Sequence, residues 1–235
     1  MNKKGTHVEV VISFIIFIVF VVFIFAASKP SITKQQDKSN LLNSLEYNLI
    51  EEFSSDVEVV TVAFSSGGNC ITLDNSMSAL GIGNRIVVKN SSGKILGSSR
   101  VAINGDSITI SGVSPQETLF KIYYSQEFSP IAIGSLCPSA GEEIGLTKTD
   151  KYVFQQKIQT AITTGNYNNL KEDMDVPEEM DFTFGIVLSN GTLIEKPHPE
   201  LESNISTNIY VKDVAIEYID LSGDIKSGYL KIKIW

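Results

Sequence analysis

The side chains with the most reactive chemistry are few and far apart in this chain. Its two histidines, His7 and His198, lie near opposite ends, and its two cysteines, Cys70 and Cys137, have no histidine close by. A Ser/His/Asp or Cys/His nucleophile needs a base within hydrogen-bond reach. Past the first ten residues His198 is the lone imidazole, set in Lys196-Pro197-His198-Pro199-Glu200. Ser65-Ser66-Gly67-Gly68 lacks the residues of a nucleophile elbow. Gly81-Ile82-Gly83-Asn84-Arg85 is a glycine pattern without its third glycine, and it reads as a turn. Residue types and spacing therefore predict no catalytic residue, no enzyme and no cofactor.

Three weaker groups remain. The densest acidic stretch holds Glu172, Asp173, Asp175, Glu178, Glu179 and Asp181. Outside a cell, where calcium is millimolar, Asp173, Asp175, Glu178, Glu179 and Asp181 are candidates for a weak Ca²⁺ site. The spacing and glycine of an EF-hand are missing, so a solvated connector is the plainer reading and no metal is expected. Asn90-Ser91-Ser92, Asn190-Gly191-Thr192 and Asn204-Ile205-Ser206 are glycosylation sequons. Cys70 and Cys137 form one disulfide in an oxidising compartment, or stay two buried thiols.

The elements that must hold these groups follow from periodicity. Residues 40–53 place Leu41, Leu42, Leu45, Leu49, Ile50 and Phe53 on one face and Asn43, Glu46, Glu51 and Glu52 on the other, which predicts an amphipathic helix. Past it the period changes to two. Strands are predicted over 57–65, 85–89, 95–102, 107–111 and 120–124, between turns such as Asn90-Ser91-Ser92-Gly93 and Asn104-Gly105-Asp106. A Pro/Gly/Ser stretch around Cys137-Pro138 marks residues 129–150 as a linker between a unit over 29–128 and a second over 151–235. The second unit reads as helices 152–164 and 167–173, then strands 182–188 and 193–194 joined through Ser189-Asn190-Gly191, then strands 209–219 and 228–235.

One run differs from everything after it. A basic head with Lys3 and Lys4 enters residues 10–27, where Ser13 is the one polar side chain and no charge occurs. At 1.5 Å per residue this makes a helix of about 27 Å, close to the hydrocarbon thickness of a bilayer. It is longer than the apolar region of a removable signal, so a retained transmembrane helix over 8–28 is expected. The positive-inside bias then puts residues 1–7 in the cytoplasm and the C-terminal domain outside, as a single-pass protein. Removing Lys3, Lys4 and Glu9 from the 19 cationic and 27 acidic side chains leaves 17 and 26 for residues 29–235, net −9. Such an acidic exterior argues against nucleic acid, whose phosphates demand clustered Lys and Arg. Glu9, at the mouth of the apolar run, either reaches water at the interface or pairs with a cation on a neighbouring chain.

Lys3-Lys4-Gly5, a short stretch to Glu9 and an unbroken Val/Ile/Phe helix resemble the class III signal of type IV pilins and pseudopilins, in an archaeal form. The resemblance covers about the first fifty residues, and Glu9 falls four residues after Gly5 where the common bacterial pattern has five. It implies that a prepilin-type peptidase, recognising Lys3 and Lys4, cuts after Gly5 and leaves Thr6 as the mature N-terminus. It implies too that Glu9 is the assembly acid, pairing with the new amine of another pilin-like subunit as the helices bundle. The fold expected is α+β: a transmembrane helix that continues, with a break at Pro30, into an amphipathic helix packed on an antiparallel β-rich ectodomain. The function expected is a minor pilin or pseudopilin-like subunit of a surface filament or secretion apparatus. An unprocessed anchor carrying a surface binding or sensor module is the alternative.

Overall fold

The computed structural model of the chain describes residues 6–64, 69–135, 137–138, 141–196 and 209–235, with backbone alone at 6–8, 27–37 and 142. Pro30 does not end the first helix. Helix α1 (Thr6–Phe53) runs unbroken for 48 residues through the predicted break, a length of about 72 Å. A proline inside a helix removes one N–H and crowds the carbonyl four residues back. Here helix-compatible runs lie on both sides of it, and the later one is held by its packing in the head core.

At Phe53 the chain passes directly into strand β1 (Ser54–Phe64). The stripe over the last turns of α1 is buried as its period requires. Leu42, Leu45, Leu49 and Phe53 join one core with Phe182, Phe184 and Ile186 of β8 (Phe182–Val187), Tyr218 of β10 (Tyr210–Ile219), and Leu230, Ile232 and Ile234 of β11 (Ile225–Ile234). The rings of Phe53 and Phe184 lie 5.3 Å apart. Two short helices, α3 (Gln155–Thr163) and α4 (Tyr167–Asp173), close this core through Ile158, Ile162 and Leu170.

The large sheet has eight strands in the order β3-β6-β1-β7-β10-β11-β8-β9, where β3 is Ile86–Asn90, β6 Leu119–Tyr124, β7 Glu142–Phe154 and β9 Leu193–Glu195. Neighbours are antiparallel except β7 and β10, which touch in parallel at Val153↔Tyr218 and Phe154↔Ile219. A second sheet, β2 (Cys70–Leu73), β5 (Ser107–Ser111) and β4 (Val101–Asn104), shares a core with β1, β3 and β6 through Val62, Ile71, Leu73, Ile108, Ile110 and Phe120. Helix α2 (Ser76–Leu80) packs beside it through Met77 and Leu80.

Several boundaries differ from the sequence reading. Of residues 129–150, read as a linker, the part from Glu142 onward is strand: β7 pairs along β1 from Phe64↔Glu142 to Ser54↔Val153. Residues 143–149 are exposed on both faces, so neither face selects apolar side chains and the alternation is faint. Val153 and Phe154 belong to that strand, and α3 begins at Gln155. The strand read over 95–102 starts only at Val101, because Gly97 and Arg100 close a turn with a 2.8 Å backbone hydrogen bond.

Candidate functional site

The part of the molecule left without a covering is the first half of α1. Residues Glu9–Ala26 have a mean hydropathy of 3.1, and none of them is buried. Phe14, Phe17, Phe20, Phe23 and Phe25 are all exposed, with Val and Ile filling the positions between them. Because apolar side chains surround the helix, no single sheet face can cover them. Only apolar surroundings on every side, lipid or other helices, meet that demand, and the segment is long and apolar enough to cross a bilayer. Thr6 opens the helix and Glu9 sits exposed in its first turn, where the helix dipole favours a negative charge. Lys3, Lys4 and Gly5 lie outside the described residues, so the processing positions are placed only at Thr6.

The second half of α1 is held from both sides of its apolar stripe. Lys212 on β10 pairs with Glu46 and donates to the Asn43 amide, while Lys151 on β7 pairs with Glu51. The Lys38 ammonium lies 4.9 Å from the centre of the Tyr210 ring. Each surface contact is worth little alone. Together they add polar contacts to the core packing that holds this half against the sheet.

The other predicted positions are scattered. Cys70 and Cys137 form a disulfide with 5.6 Å between Cα atoms. Thr72 reinforces it, its hydroxyl donating to the Cys137 carbonyl at 2.9 Å and accepting from the Cys137 N–H at 3.0 Å. Asn90 is only 9% exposed; its Nδ2 donates to Glu117 at 2.8 Å and its Oδ1 accepts from Lys94 N–H at 2.9 Å. That bond from Asn90, with the Ser114 N–H next, holds the Glu117 carboxyl below its usual range. Asn190 is exposed at the β8–β9 turn, and Asn204 lies outside the described residues. In the acidic stretch Asp173, Asp175, Glu178 and Glu179 are exposed, and Asp181 accepts from Lys171 at 3.0 Å and from the Tyr167 hydroxyl at 2.9 Å. Among the described residues no three of His, Cys, Asp or Glu gather as metal ligands would.

Two features had no signal in the sequence. A cavity of about 380 Å³ lies among β3, residues 127–131 and the β10–β11 turn, lined by Val88, Leu96, Phe128 and Phe154, with Glu127 and Asp220 among its polar lining. Both carboxylates hold chain: Glu127 accepts from the Ser55 hydroxyl at 3.1 Å, and Asp220 accepts from the Ser222 and Asp224 N–H groups at 2.8 and 2.9 Å. Beside it Lys89, 6% exposed, pairs with Asp224 at 2.8 Å and lies 5.0 Å from the centre of the Tyr123 ring. Lys226 and then Lys89 keep the Asp224 carboxyl below its ordinary value, and burial raises the Tyr123 phenol. Lys89 and Asp224 are 135 residues apart in sequence, a separation no local pattern spans. Compared with family models, with curated proteins and with solved structures, the chain matches none.

Proposed function

We propose that this chain is a membrane-anchored, pilin-like structural subunit. Its exposed half-helix seats in a bilayer and among like helices, and its β-rich head is displayed on the exterior side. The observation that carries this reading is the division of α1: one continuous helix of 48 residues, bare and apolar through Glu9–Ala26, packed and amphipathic from Leu42 to Phe53. A removable signal has no need to be continuous with a helix of the folded head. A core helix of a soluble domain would be covered, and this segment is not. Glu9 supplies a carboxylate at the entrance of the apolar segment, where a cation of a neighbouring subunit would neutralise it in a medium that penalises lone charge. In the processed form the Thr6 amine of that neighbouring subunit is the matching cation.

Crosslinking through the apolar segment tests this. Single cysteines placed across residues 10–26, with the protein in its own membrane, should give dimers with further copies or with pilin-like partners, concentrated on particular helix faces. Monomers at every position would reject assembly and leave a solitary anchor. Glu9→Gln should reduce the crosslinked yield by tenfold or so, the worth of about 1.4 kcal/mol. An undiminished yield would reject the pairing role of Glu9.

A further inference from the structure

Three sequons occur in the chain, and the structure treats the two it describes in opposite ways. Asn90 is an internal brace. Its Nδ2, the atom that would carry a sugar, already donates to Glu117, and its Oδ1 holds the Lys94 N–H and the Ser92 hydroxyl, the latter at 2.7 Å. The residue is 9% exposed. A sugar on Nδ2 would replace one of its two hydrogens and would have to fit against Glu117 at a residue that is almost wholly buried.

Asn190 has the reverse setting. It stands at the tip of the turn between β8 and β9, with Asn190, Gly191 and Thr192 all exposed. The turn is fixed by backbone bonds, Gly191 N–H to Leu188 O at 2.8 Å and Leu188 N–H to Thr192 O at 2.9 Å. Gly191 has φ 82°, a left-handed value that glycine tolerates best. Within it the Asn190 Oδ1 accepts from the Thr192 N–H at 3.0 Å, which orients the amide of an exposed residue. A shallow depression of about 460 Å³ adjoins the turn, walled by Ser189, Gly191, Ala215, Glu217, Ser227 and the half-exposed Tyr229. An aromatic face beside polar groups is a surface on which a pyranose ring can lie.

We propose that Asn190 is an N-glycosylation site of the folded protein and that Asn90 is not, despite equal sequence credentials. This rests on the exterior placement of the head argued above. The donor is an oligosaccharide linked to a polyisoprenyl phosphate or pyrophosphate, and the catalyst a membrane oligosaccharyltransferase. The Asn190 Nδ2 attacks C1 of the first sugar, and the Nδ2–C1 bond forms as the bond from C1 to the phosphate oxygen breaks. The lipid phosphate leaves with that electron pair, and one Nδ2 proton passes to a base of the transferase. The exposed Thr192 hydroxyl is the sequon's recognition group.

The test is site-resolved glycopeptide mass spectrometry on the protein purified from its own membrane, with protease protection in sealed vesicles to fix the side on which the head lies. Glycan is expected on the Asn190 peptide and not on the Asn90 peptide. Asn190→Gln and Thr192→Ala should each remove that one glycan while leaving the thermal unfolding of the head unchanged, and Asn90→Gln should remove none. A head on the exterior side with bare Asn190, or with glycan on Asn90, would overturn the proposal and spare the topology. A head on the cytoplasmic side would overturn both.

Discussion

The two halves of α1 use similar residues for different ends. From Glu9 to Ala26 apolar side chains surround the axis and nothing covers them, whereas from Leu42 to Phe53 they form one stripe and the sheet covers it. The difference lies in distribution rather than in hydrophobicity as such. A stripe is satisfied by one partner face, and an apolar cylinder by none short of a surrounding medium. The head therefore folds by burying the second half and leaves the first half to find its environment elsewhere.

Substitutions that act on one half and spare the other would sharpen this contrast. The largest effect is expected at Phe53, which sits between α1 and Phe184 at the hinge into β1. Phe53→Ala should cost the head about 3–5 kcal/mol in denaturant unfolding, with the membrane-bound fraction unchanged. Within the head, Cys137→Ser opens a disulfide whose ends are 67 positions apart. It should lower stability by about 4 kcal/mol in the chain-entropy picture, again without releasing the protein from membranes. Val19→Arg reverses the pattern. It should cost about 3 kcal/mol of insertion and shift the protein from the membrane fraction, while the unfolding midpoint of the head stays put. If Val19→Arg also destabilised the head, the separation of the two halves would be broken.

Sequence pattern exposed this contrast because both halves are written locally. Leu42, Leu45, Leu49 and Phe53 recur at helical spacing, and a run of apolar residues without charge has few meanings. The turns at Asn104-Gly105-Asp106 and Ser189-Asn190-Gly191 were legible for the same reason, as was α4 over Tyr167–Asp173, although its cap at Asn166 was not. The N-terminal part of β7 was not, since its side chains face solvent on both sides and carry no alternation. Nor was β2, four residues between two turns. The continuity of α1 across Pro30 depends on what holds each flank, which the dipeptide itself does not record. Lys89 is the clearest case of a role set by folding alone: in sequence it is one lysine among many, and in the structure it is a buried cation joining β3 to the β10–β11 turn.

That junction yields the smaller effects. Asp224→Ala leaves the Lys89 ammonium without its carboxylate and should cost about 1–3 kcal/mol in head stability, read by thermal or urea unfolding. The pH dependence has a definite sign. The Asp224 and Glu117 carboxyls both sit below their ordinary values, so the unfolded chain binds these protons more tightly than the folded one. Their contribution is complete above about pH 5, clear of both unfolded values, and is lost as pH falls through the unfolded and then the folded values. Unfolding midpoints should drop on acidification below about pH 5, and drop less in Asp224→Asn. A midpoint insensitive to pH in that range would remove these ion pairs from the account of the head.

The measurement that bears most directly on the pilin-like reading is the intact mass and N-terminal sequence of the protein isolated from its own membrane. The account predicts a mature chain that begins at Thr6, with the apolar half of α1 retained and Glu9 as its fourth residue. A chain that still carries Met1 or Asn2, or one cut beyond Ala26, would contradict it.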